Sequence, residues 1–140
     1  MTHQLSQAAF ERAASALGLA VRETDLFTAV YQPVARWISD ALTDRSRPLF
    51  VGVNGAQGSG KSTFCALLSA ALRGGGELNV VTLSIDDVYL TRSERVALGA
   101  STHPLCAIRG VPGTHDLALT HGVFDALMSA GEGQSVAIPR

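Results

Sequence analysis

An apolar run, Leu49-Phe50-Val51-Gly52-Val53, leads after one asparagine into Gly55-Ala56-Gln57-Gly58-Ser59-Gly60-Lys61-Ser62, and nothing else in the chain restricts its fold as tightly. Five apolar residues in a row suit a strand buried on both faces of a parallel sheet, since such a strand has no solvent side to alternate toward. Glycines at 55, 58 and 60 let the following loop turn its N–H groups inward around an anion. A helix expected over residues 62–72 points its positive dipole end at the same place, and the three glycines after Arg73 stop it.

The spacing is that of the P-loop pattern Gly-x-x-x-x-Gly-Lys-Ser/Thr. In that reading Gly55, Ala56, Gln57, Gly58, Ser59, Gly60, Lys61, Ser62 and Thr63 cradle a nucleotide's phosphates. Lys61 neutralises the outer phosphates and the Ser62 hydroxyl is offered to Mg²⁺. The eleven basic side chains are ten arginines and Lys61. A lysine kept only here suits a compact point charge that a forked guanidinium cannot replace.

The second constellation is Ser84-Ile85-Asp86-Asp87-Val88-Tyr89. It follows a Val- and Thr-containing run, Leu78 to Leu83, that reads as a second strand, and ligands of open α/β sheets bind at that carboxyl edge. One carboxylate there can take the proton of an attacking hydroxyl while another helps to hold Mg²⁺. The alternative is that Asp86 and Asp87 cap the turn they begin. The third is Arg109-Gly110-Val111-Pro112-Gly113-Thr114-His115-Asp116, after His103-Pro104. It is either a turn-rich loop whose Asp116 caps the next helix, or a set of donors, Arg109 and His115, facing a carboxylate- or hydroxyl-bearing acceptor.

Helical spacing predicts further helices over residues 5–17, 24–42, 92–98 and 117–129, with Pro33 kinking the second. In that second helix Leu26, Val30, Val34, Trp37, Ile38 and Leu42 share the expected packing face. Val136 to Ile138 reads as a third strand. The β-loop-α-β order implies a right-handed parallel unit. The expected organisation is a helical segment over residues 1–47 packed on a core over residues 48–140.

With 46% hydrophobic and 16% charged residues, the chain has the material for a buried core. Its net charge of -1 gives no basic footprint for nucleic acid. No stretch approaches the roughly 18 apolar residues of a membrane span, so no membrane partner is expected. Two cysteines and no leader pattern point to the cytoplasm.

Taken together, GAQGSGKST, SIDDVYLT, and HPL with RGVPGTHD resemble the D-glycerate 3-kinase type of P-loop kinases, relatives of uridine kinase, pantothenate kinase and phosphoribulokinase. The resemblance runs from about Tyr31 to Arg140, with Val88 where this branch more often has Phe. It implies an α/β, three-layer P-loop kinase fold with a parallel sheet, apparently truncated at its carboxyl end, and ATP with Mg²⁺ as phosphoryl donor. It further implies Asp86 as base beside the catalytic Lys61, Ser62 and Asp87 on the metal, and Tyr89, Arg109, His115 and Asp116 toward a small acceptor, D-glycerate first. Pantothenate, a nucleoside or a sugar is the alternative acceptor, and a non-catalytic nucleotide-binding fragment the alternative role. With one lysine the chain has no Asn-Lys-x-Asp guanine-reading motif beside that loop, which argues against a GTPase switch.

Kinases of this type continue beyond the equivalent of Arg140 into an arginine-bearing lid and further strands. The chain is therefore expected to be an amino-terminal piece or a short form. Alone it would be marginally stable or self-associate through apolar surface left by missing strands, bind ATP weakly, and phosphorylate glycerate at no useful rate.

Overall fold

The computed structural model describes residues 5–19, 26–43, 45–76, 78–131 and 133–139. The expected start of the second helix at Thr24, and Arg140, lie outside them. The chain divides into two compact units, Met1–Thr82 and Leu83–Arg140.

In the first unit α1 spans Gln7–Ala16, opened by Ser6, whose hydroxyl accepts from the Ala9 N–H at 3.2 Å. A π-helical turn, Phe27–Tyr31, runs straight into α2, Gln32–Leu42. The cause is Pro33. Its ring has no N–H to donate and collides with the carbonyl four residues back, so the turn ahead of it widens and Gln32 N–H reaches back to Phe27 O. The extra residue shifts the packing face. Phe27, Tyr31, Ala35 and Ile38 are buried, whereas Leu26 and Val30 are exposed and Trp37 is 62% exposed. The face expected from unbroken 3.6-residue spacing, with Leu26, Val30 and Trp37 inward, is thereby corrected.

Helix α3, Lys61–Arg73, completes the core. Leu67, Leu68, Ala71 and Leu72 pack with Phe10, Ala14 and the buried face of the second helix. Four rings thread this core: Phe10 lies 5.2 Å from Phe27 and 4.8 Å from Tyr31, and Tyr31 stacks on Phe64 at 5.2 Å. Burial, then the neighbouring Cys65 thiol, raises the Tyr31 hydroxyl above the ordinary tyrosine value. Ser6 N–H donates to Ala71 O at 3.1 Å, tying the start of α1 to the end of α3.

The parallel sheet expected from the sequence is absent from the described residues, which form no strand at all. Residues 49–53, 78–83 and 136–138 form no ladder and no helix. Phe50, Val51, Val53 and Val81 are 47%, 40%, 37% and 46% exposed, and only Leu49, Leu78 and Val80 of these runs lean on the helical core. The α/β three-layer assignment is therefore overturned. The physical reason is that apolar β-branched composition describes side-chain preference, while a strand exists only where neighbouring backbone pairs with it. Here the helices bury one another.

The second unit begins with a 3-10 turn, Ile85–Val88, followed by α4, Arg92–Ser101, a second 3-10 turn, Pro104–Ala107, and α5, Leu117–Ser129. It contains an isolated antiparallel bridge between Tyr89 and His115, in which Leu90 N–H donates to Thr114 O at 3.0 Å and Asp116 N–H to Val88 O at 2.8 Å. Thr114 is fully buried, its hydroxyl donating to Val111 O at 2.6 Å. No helix of the described residues is long and apolar enough to cross a membrane.

Candidate functional site

The Gly55–Ser62 loop lies exposed ahead of α3 in the first unit. Ser59 N–H donates to Ala56 O at 3.2 Å, closing a turn. Gly58 and Gly60 hold φ of 75° and 86°, the left-handed region that side chains with a Cβ avoid. Gly60 is the N-cap of α3 and offers no side chain, so no side-chain cap hydrogen bond occupies the first turn of that helix. A Cβ on Gly55 would stand 2.9 Å from Ser59 Oγ, so a larger residue there would press on the Ser59 side chain. Lys61 Nζ donates to Gly55 O and to Ala56 O, both at 2.8 Å. Left-handed glycines, a helix start without a side-chain cap and a lysine bonded across the loop are features that phosphate-binding loops share. Ser62 is exposed on the first turn, and its hydroxyl is a hard oxygen donor of the kind Mg²⁺ takes alongside phosphates.

The acidic turn belongs to the second unit. Ser84 forms a capping box: its hydroxyl accepts from Asp86 N–H at 3.2 Å, and Asp87 Oδ2 accepts from Ser84 N–H at 3.2 Å. The capping alternative thus holds for Asp87. Asp86 is exposed, with its carboxylate outside the capping box.

Asp116 also has a local task, because Oδ1 accepts from Leu119 N–H at 2.8 Å as the N-cap of α5. His115 stacks on Tyr89, ring centroids 4.1 Å apart, and Arg109 Cζ lies 5.3 Å from the Tyr89 centroid. His115 Nε2 is buried with no hydrogen-bond partner. The bridge between the two segments is what brings Tyr89, Arg109 and His115 together. A cavity of about 360 Å³ opens here, with Asp86, Asp87, Tyr89 and Arg109 in its lining.

The chain is similar to two curated proteins. One, from Schizosaccharomyces pombe, is named "Uncharacterized kinase mug58" and is 35% identical over 112 residues, which is 79% of this chain and 40% of that protein. The other, from Saccharomyces cerevisiae, is named "Probable ATP-dependent kinase TDA10" and is 36% identical over 94 residues, 64% of this chain and 32% of that protein. The chain spans less than half the length of the curated relatives it matches. No protein-family model and no solved structure matches it.

Sequence reasoning missed Arg92 and Arg95, which line the same cavity. Arg95 Nη1 donates to Leu90 O at 2.5 Å, and its Nε is buried without a partner. Their signal in the sequence was weak, since two arginines in the first turns of a polar helix read as a solvated face. Thr91 and Glu94 form the capping box that starts that helix: Thr91 N–H donates to Glu94 Oε2 at 2.8 Å. The Thr91 hydroxyl, then its N–H, holds the Glu94 carboxyl below the ordinary glutamate value.

Proposed function

We propose that this chain serves an ATP-dependent kinase that moves the γ-phosphoryl of ATP onto a hydroxyl of a small metabolite, D-glycerate first. The observation that carries the reading is the Gly55–Ser62 loop, with Gly58 and Gly60 in the left-handed region and Lys61 closed across it. The likeness to two proteins named as kinases, one of them ATP-dependent, supports it.

In this reading the N–H groups of Gly55 through Thr63 bind the phosphates, and Lys61 exchanges its carbonyl partners for phosphate oxygens. Ser62 and Asp87 are the residues that would hold Mg²⁺, which when bound neutralises charge on the phosphate oxygens. Asp86 takes the proton of the acceptor hydroxyl. That oxygen forms its bond to the γ-phosphorus as the bond to the bridging oxygen breaks, and the electron pair leaves with ADP. Tyr89, Arg109, His115 and Asp116 position the acceptor, with Asp116 acting through the helix it caps. The rate gain is positioning plus charge stabilisation.

Label transfer from γ-labelled ATP tests this. D-glycerate-dependent labelling of the acceptor, above the background of ATP hydrolysis, is the expected result. Failure to bind ATP·Mg²⁺, or labelling of no hydroxyl acceptor among glycerate, pantothenate, uridine and sugars, would overturn it.

A further inference from the structure

We infer that the cavity beside Asp86 is an anion subsite in which Arg95, with Arg109, grips a carboxylate or phosphate on the acceptor. The inference rests on the kinase reading for the word acceptor, but its argument lies wholly within the second unit.

The cavity carries the side chains of Asp86, Asp87, Tyr89, Arg92, Arg95 and Arg109 in its wall. Three arginines and two aspartates line it, and one of those, Asp87, already accepts from Ser84 N–H through Oδ2. Among the described residues no ion pair engages Arg92, Arg95 or Arg109. The lining thus has one positive charge in excess, and no ion pair among the described residues ties the three guanidiniums down. A neutral polyol gains nothing from that surplus, whereas an anion does.

Arg95 is the residue held for the task. Its stem rises from α4, and the bond from Nη1 to Leu90 O fixes the guanidinium against the segment that also carries Tyr89. A buried Nε with no partner shows that the fold uses only part of its donor set. A planar fork clamped at one corner is pre-organised for the paired oxygens of a carboxylate or phosphate, since little side-chain freedom remains to be lost. Arg109 is steadied by the Tyr89 ring beneath it, which stacks in turn on His115. Asp86, exposed at the same wall, keeps the subsite from being uniformly basic and repels an anion laid directly on it. An acceptor is thus oriented with its charged end toward the arginines and its neutral hydroxyl end toward Asp86. A cavity of about 360 Å³ limits it to a small molecule.

The test titrates the chain calorimetrically, at fixed ionic strength, with D-glycerate, glycerol 3-phosphate and glycerol, which share a three-carbon polyol frame and differ in charged group. The expected result is that one or both anions bind at least ~10-fold more tightly than glycerol, and that Arg95→Gln erases the preference while ATP·Mg²⁺ affinity stays. Preference for glycerate over glycerol 3-phosphate assigns the subsite to a carboxylate, and the reverse to a phosphate. Equal binding of glycerol and both anions, or no binding of either anion, overturns the inference. If circular dichroism shows Arg95→Gln to be unfolded, Arg95→Lys decides: it keeps the charge but not the fork, so weaker anion binding supports the inference and unchanged binding overturns it. A chain that selects anions but fails to bind ATP·Mg²⁺ keeps the subsite and loses the kinase reading; one that binds ATP·Mg²⁺ without preferring anions does the reverse.

Discussion

The Lys61 ammonium donates to the carbonyl oxygen of Gly55 at 2.8 Å, so the lysine closes across the loop that precedes it. Its second bond, to Ala56 O, pins the same edge. A nucleotide would replace the two carbonyl partners rather than find a free side chain.

Lys61→Ala should lower ATP·Mg²⁺ affinity by at least ~10-fold with the helical content unchanged, since a charge-assisted contact to phosphate is lost. Calorimetric titration beside far-UV circular dichroism checks this. A folded variant with unchanged affinity would sink the phosphate-loop assignment.

Gly60→Ala forces a Cβ into a backbone at φ 86°, at a cost of about 1–2 kcal/mol. The thermal midpoint should fall and ATP affinity with it, because relaxing the strain re-aims the first N–H groups of α3. An unaltered midpoint would mean that the loop adopts another conformation in solution.

Asp86→Asn should slow label transfer by at least about 10² with ATP affinity kept, by removing the proton acceptor. Asp87→Ala should act differently: it removes the partner of Ser84 N–H, so the midpoint falls and the Mg²⁺ dependence of nucleotide binding weakens. Equal effects of the two variants on transfer and stability would refute the division of labour.

Phe10→Ala should cost about 3–5 kcal/mol in the first unit, because the ring is fully buried and touches both Phe27 and Tyr31. Chemical denaturation of the two proteins measures the difference. A loss under about 1 kcal/mol would mean that the helices do not pack as described.

The Glu94 carboxyl is held below its ordinary value, so its support of α4 is complete above that value and is lost as pH falls through the lowered one. The Thr91 amide resonance should report the loss on acidification, and Glu94→Gln should flatten that titration. A Thr91 amide indifferent to pH in the wild-type chain would exclude the capping box in solution.

The features legible in the sequence are those settled within a few residues. Pro33 disturbs its helix because a missing N–H and a ring clash act on the preceding turn, although which way the helix adjusts, and so that Trp37 faces out, is decided by packing. The left-handed glycines of the loop, the Ser84 cap and the Asp116 N-cap are likewise written in adjacent side chains and φ preferences. Tertiary structure alone decided whether Leu49–Val53 and Leu78–Leu83 become strands, because a ladder requires backbone from elsewhere in the chain, and in the described residues the helices bury each other instead. It also decided that Tyr89 meets His115 and that Arg95 turns into a wall shared with Asp86 and Arg109. Those contacts join residues distant in sequence, where no local preference of either partner can choose the other.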